Sequence, residues 1–175
     1  MSFDNSVRNE KIEIVSHREE WFNKFISEKR ILSEALKGHF QHIEHIGSTT
    51  VNGLDAKPII DIAILTENVS KVPMIHELLS KLQYSYHGEY GLPGRHFFIK
   101  GKPREFDLHI VDGNTNHWEQ WIAFREILKR DREICRRYQD LKYRLLERYQ
   151  FDREKFTKGK ADFIKTILNE QFKKS

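Results

Sequence analysis

Cysteine is nearly absent from this 175-residue chain: Cys135 stands alone, which excludes an intrachain disulfide. A reducing, cytoplasmic setting is therefore expected. No apolar run approaches the roughly 20 residues of a membrane-spanning helix, so no membrane role is expected. The stretch Met1-Ser2-Phe3-Asp4-Asn5 lacks the charged and apolar regions of a secretory signal. No repeat, low-complexity tract or flexible linker divides the chain, and one unit over 1–175 is expected. Neither an arginine-rich stripe nor an RNP-like aromatic motif is present, which argues against a nucleic-acid partner. A Gly-x-Ser-x-Gly elbow is also missing, so Ser48 is not expected to act as a covalent nucleophile.

What the chain does have is enough apolar material for a core: 38% hydrophobic residues, including 12 Phe, 6 Tyr and 3 Trp. The net charge of +4 is unevenly spread. From Thr115 to Ser175 there are 16 Lys/Arg against 10 Asp/Glu, while the preceding residues carry a small negative excess. A basic C-terminal third would attract a nucleotide or nucleic acid. The same composition is also ordinary for helices with solvated faces.

Hydrophobic spacing predicts a helix over 17–37, with Trp21, Phe22, Phe25, Ile26, Leu32 and Leu36 on its apolar side and Gly38 as its stop. Gln41 to Ile46 and Lys57 to Leu65 read as strands, the second apolar on both faces and so central in a sheet. Residues 70–82 predict an amphipathic helix, and Tyr84 to Tyr90 a short strand. His96 to Lys100 and Glu105 to Val111 predict a hairpin around Gly101-Lys102-Pro103. In its second strand Phe106, Leu108 and Ile110 share one face, with Glu105, Asp107 and His109 on the other. Beyond Asp112-Gly113-Asn114 the pattern is helical, with a break expected near Gly159. The expected division is an α/β core over 12–113 and helices over 114–175 packed on it.

The chemistry concentrates at His45-Ile46-Gly47-Ser48-Thr49 and at Asp61 in Lys57-Pro58-Ile59-Ile60-Asp61-Ile62. A Gly-Ser turn after a strand can offer backbone N–H groups to an anion. A carboxylate on a doubly apolar strand is costly unless paired or metal-bound, which singles out Asp61. Asp61 with the Asp107/His109 face could hold a divalent cation. Gly47, Ser48 and Thr49, with Lys57, Arg95, His96 and Arg104, are candidate phosphate contacts, and Arg125, Lys142 and Lys160 could close over an anion from the helices. Glu44 and His45 point to opposite faces, so at most one of them shares a given site.

Glu44-His45-Ile46-Gly47-Ser48-Thr49-Thr50-Val51-Asn52-Gly53-Leu54 and Lys57-Pro58-Ile59-Ile60-Asp61-Ile62 resemble the signature of the GrpB family, also labelled UPF0157. The resemblance continues through Leu108-His109-Ile110-Val111, Phe124-Arg125, Tyr138-Gln139-Asp140-Leu141-Lys142 and Phe156-Thr157-Lys158-Gly159-Lys160, spanning roughly Ile12 to Leu168. It implies an α+β, nucleotidyltransferase-like fold: a mixed β-sheet with flanking helices and a C-terminal helical segment. It also implies a nucleoside triphosphate seated at the Gly-Ser motif and Mg²⁺ or Mn²⁺ on the carboxylates. Asp61, Asp107 and His109 would be the catalytic residues, with Asp61 and Asp107 as metal ligands. The sequence departs from the catalytic pattern at Ala63, where such enzymes place a second carboxylate. Asp107 stands where relatives more often have His, and Asn52 where they tend to have Pro. Two readings follow: metal-dependent nucleotidyl transfer to a small-molecule acceptor, or a non-catalytic nucleotide- or anion-binding module.

Overall fold

Ile60–Thr66 and Phe106–Asp112 are the spine of the molecule, two adjacent parallel strands whose residues are almost all buried. They belong to a computed structural model that describes residues 11–67 and 72–173. The elements are α1 (Glu20–Ala35), β1 (His42–Ile46), a 3-10 turn (Ser48–Thr50), β2 (Ile60–Thr66) and α2 (Val72–Lys81). There follow β3 (Ser85–Tyr86), β4 (His96–Lys100), β5 (Phe106–Asp112), α3 (His117–Arg130), α4 (Arg132–Tyr149), α5 (Arg153–Lys158) and α6 (Ala161–Phe172). The sheet order is β1-β2-β5-β4-β3, antiparallel throughout except for the β2–β5 pair. This is the mixed sheet with flanking helices that the resemblance implies. The predicted start of α2 at residues 70–71 and the reading of Met1–Asn5 lie outside the described residues.

Alternation along the strands sorts side chains onto two faces. Ile43, Ile62, Ile64, Leu108 and Ile110 form one face, packed against Trp21, Phe25 and Leu32 of α1 and Ile75 and Leu79 of α2. Each such large side chain removed from water contributes about 1.5–3 kcal/mol, so this face anchors the sheet. Glu28 of α1, buried on this side, accepts hydrogen bonds from Tyr84 Oη at 3.0 Å and Lys100 Nζ at 2.7 Å, tying β4 to the helix. The α1 stripe is narrower than its spacing predicts: Phe22 and Ile26 are exposed, because the sheet accepts only the arc centred on Trp21, Phe25 and Leu32. Between Tyr84 and Tyr90 only Ser85–Tyr86 pairs as a strand.

The opposite face receives the C-terminal helices. Val51 and Leu54 pack with Ile127, Leu128, Tyr138 and Ile167, while Leu145 and Phe156 pack with Ile12. The expected break near Gly159 divides α5 from α6. Gly159 lies against the Leu145 side chain, which a Cβ at this position would force to move. This close approach brings the α5–α6 junction against α4 and puts Phe156 and Lys160 over the sheet.

Candidate functional site

Strand register decides which polar residues meet. Ile46 pairs with Asp61, and Asp61 with Asp107, so both carboxylates lie in one cross-strand row on the face opposite α1. Two residues along, Glu44, Ala63 and His109 make the next row on that face. His45 points the other way. Its ring stacks on Phe25 with centroids 4.7 Å apart, and Nε2 bonds to Thr49 Oγ1 at 2.9 Å. Burial lowers the His45 pKa to about 4, so the imidazole is neutral and structural. The Thr49 hydroxyl is therefore engaged by His45 on the α1 side of the sheet.

Gly47 joins β1 to the 3-10 turn with φ 74° and ψ −176°, a region only glycine occupies without strain. An added Cβ would sit 2.5 Å from Asp61 Oδ2, so the turn and Asp61 are in direct apposition. Ser48 hydrogen-bonds to Tyr138, whose phenol is buried and held above its ordinary pKa by that burial. The turn's ladder begins only with Thr50 N–H to Gly47 C=O at 3.3 Å, after the amides of Ser48 and Thr49.

Asp61 keeps about a third of its side chain open, 32% by exposure. Burial alone would raise its pKa. The hydrogen bond from His109 and the charges of Lys57 and Lys160 outweigh that and hold it below its usual value. His109 Nε2 lies 3.4 Å from Asp61 Oδ1, and His109 Nδ1 lies 3.3 Å from Arg95 Nη1. An arginine only donates, so Nδ1 accepts and the proton on Nε2 points at Asp61. Phe97 and Trp121 hold the imidazole from either side at 5.1 and 5.3 Å. Arg95 also donates to the carbonyls of Glu89 and Tyr90, so it is built into the loop and orients His109.

Asp107 is engaged differently. Arg104, three residues earlier at the end of the hairpin, forks onto it: Nε to Oδ1 at 2.5 Å and Nη2 to Oδ2 at 2.6 Å. Both side chains are more than nine-tenths buried. Arg104 Nη1 is also buried and has no hydrogen-bond partner among the described residues.

Lys57 and Lys160 complete the cluster. Their ammonium groups stand over the Phe156 ring, 5.9 and 5.1 Å from its centroid. Among the described residues neither makes an ion pair or a hydrogen bond to a carboxylate. Burial first, and then the charges of Arg153 and Lys160, lower the Lys57 pKa to about 7. Burial lowers that of Lys160 as well, against the pull of Asp61. Five basic side chains (Lys57, Arg95, Arg104, Arg153 and Lys160) thus act electrostatically on one another or on the two carboxylates.

A family model described as GrpB protein matches residues 11–170 of the chain. The chain belongs to the GrpB family. It is 31% identical over 170 residues to the glutamate-rich protein GrpB of Alkalihalophilus pseudofirmus, covering 94% of this chain and 98% of that protein. The UPF0157 protein YqkA of Bacillus subtilis is 31% identical over 157 residues; they are 89% of this chain but span about half of YqkA, 46%. The crystal structure of GrpB from Enterococcus faecalis superposes with a TM-score of 0.84 at 34% identity, covering 93% of this chain and 98% of that one.

On this GrpB framework the residues singled out from sequence separate into two groups. Gly47, Ser48, Lys57, Asp61, Arg95, Arg104, Asp107, His109 and Lys160 converge. Arg125 does not join them: Nη1 donates to Glu44 Oε2 and to the His45 carbonyl, both at 2.8 Å, fastening α3 to β1. Lys142 donates to the Asp55 carbonyl and packs on Tyr138, one layer behind Ser48. His96 bonds to Tyr86 Oη at 2.8 Å near the far sheet edge. Sequence reasoning passed over Arg153, Phe156 and Tyr138 as site residues. Tyr138 and Phe156 lie in two of the family-like motifs, whereas Arg153 carries no local signal.

The Mg²⁺ or Mn²⁺ implied by the resemblance does not suit this donor set. Both Asp107 oxygens are taken by Arg104, and Ala63 brings no oxygen to the row beside His109. Among the described residues no group of three or more His, Cys, Asp or Glu is placed to hold a metal ion. That leaves Asp61 as one accessible carboxylate among cations, where a divalent ion is disfavoured.

Proposed function

We propose that the protein binds a phosphate-bearing anion, a nucleoside triphosphate or similar polyphosphate, at the cluster formed by the Gly47-Ser48 turn, Asp61 and the α5–α6 junction. The observation that carries this reading is the charge imbalance. Among the described residues Lys57 and Lys160 stand over one aromatic ring without a carboxylate of their own, and Arg104 Nη1 is buried without a hydrogen-bond partner. Uncompensated cations in a partly desolvated site are costly, and an anionic ligand relieves that cost. Nucleotidyl transfer, the other reading of the family resemblance, needs carboxylates free to take metal ions. The Arg104–Asp107 fork and Ala63 weigh against it.

Titration calorimetry with inorganic tripolyphosphate and with ATP tests the reading. Saturable binding is expected, weakened about tenfold or more by Lys57→Met or Lys160→Met, as for a desolvated charge-assisted contact. Because each substitution removes an unpaired cation, the melting temperature of the variant should hold or rise. Loss of binding would then not reflect loss of fold. No heat and no thermal stabilisation with either ligand would reject the site.

The same cluster sets a pH dependence. Lys57, with its pKa near 7, is largely neutral above that value, and an anion binds its ammonium form. Binding at about pH 8 should therefore take up a proton, and affinity should fall as pH rises from about 7 to 9, by up to tenfold per unit for each coupled proton. Calorimetry in two buffers of different ionisation enthalpy measures that uptake. Proton release, or none, would mean that Lys57 is not a ligand contact.

A further inference from the structure

Resting on the anion site just described, we propose that the protein's own cations stand in for the divalent metal. The site would then take its polyphosphate ligand in the metal-free form, and Mg²⁺ would oppose binding. In metal-assisted phosphate sites the ions bridge carboxylates and phosphate oxygens, so the carboxylates must be exposed to them. Here Asp107 is closed off by a bidentate arginine, both partners more than nine-tenths buried. Ala63 occupies the position one row along, directly beside His109. Asp61 is the accessible carboxylate, and one of its oxygens already receives the His109 proton.

The positive charge is supplied by side chains that this carboxylate cannot neutralise. Lys57 and Lys160 both stand over the Phe156 ring, and Arg104 Nη1 has a hydrogen to give and nothing among the described residues to receive it. Phosphate oxygens suit such donors, since ammonium and guanidinium groups make short charge-assisted bonds to them. A hydrated dication carried on the ligand would arrive among like charges and would present water where the donors need oxygen anions. The apolar Phe156 ring next to the two ammonium groups lowers the local dielectric, which sharpens both effects. The basic groups therefore favour a bare tripolyphosphate or triphosphate tail over its Mg²⁺ complex.

The test is calorimetry of wild-type protein with tripolyphosphate and with ATP, once in EDTA and once in excess Mg²⁺. Binding is expected to be tighter in EDTA. If Mg²⁺ leaves a tenth of the ligand uncomplexed, the apparent Kd should rise about tenfold. Lys160→Met, checked by its melting curve, should lose much of the EDTA-side affinity and so shrink the difference between the two conditions. Equal or tighter binding in Mg²⁺ would overturn the metal-free inference while keeping the anion site. Absence of binding in both conditions would remove the anion site and this inference with it.

Discussion

Gly47→Ala is expected to destabilise the protein by roughly 3 kcal/mol, lowering the melting temperature by roughly 6–12 °C for a chain of this size. Two costs combine. At φ 74° and ψ −176° a residue with a Cβ pays roughly 1–3 kcal/mol in backbone strain. The new Cβ would also lie 2.5 Å from Asp61 Oδ2 and 3.0 Å from Asp61 Cβ, so Asp61 must rotate away. Rotation weakens its contact with His109 and pulls the carboxylate off the row it shares with Asp107. Denaturant unfolding of Gly47→Ala, Asp61→Ala and the double variant separates the terms. The double variant should recover the steric part and keep the strain, giving a coupling of about 1–2 kcal/mol. A Gly47→Ala protein within about 0.5 kcal/mol of wild type, the range of an inert surface change, would mean that turn and carboxylate do not touch.

The same apposition explains how much of this site was legible in the sequence. Asp61 stood out because a carboxylate on the doubly apolar run Ile59 to Leu65 needs a reason to be there. The rule of alternation put Asp107 and His109 on one face. Those are local signals with fixed periods, and they survive folding because the sheet preserves them. Parity also separated Glu44 from His45, yet it carries no sign. Only the packing of Phe25 on the His45 ring shows which residue turns inward. Phe22 and Ile26 fit helical spacing but lie outside the arc the sheet covers.

What could not be read is set by tertiary arrangement. Arg104 reads as a phosphate contact, but the sequence does not say that the hairpin end folds its guanidinium back on Asp107 and leaves only Nη1 to give. Arg125 looked similar until α3 was placed against β1, where Glu44 claims it. In each case the charge was visible and its partner was not. That is why the metal reading was available from sequence and the donor set argues against it.

Arg104→Met carries the second large effect and bears directly on that point. Removing one member of a buried bidentate pair strands the other: Asp107 would be left charged and unpaired at 8% side-chain exposure. The expected cost is about 3–5 kcal/mol, whereas Arg104→Met with Asp107→Leu should recover most of it, because an apolar pair of similar volume suffers no stranded charge. The single variant also unmasks a cation site. Asp61 and Asp107 are register partners on adjacent parallel strands, whose spacing is about 4.8 Å. With the guanidinium gone, their carboxylates can share one ion. Mn²⁺ should therefore raise the melting temperature of Arg104→Met and leave that of wild type unchanged, since only a species that binds the native state stabilises it. If Mn²⁺ stabilises wild type as strongly as the variant, Arg104 does not hold the metal position, and both carboxylates are open to a cation in the native protein.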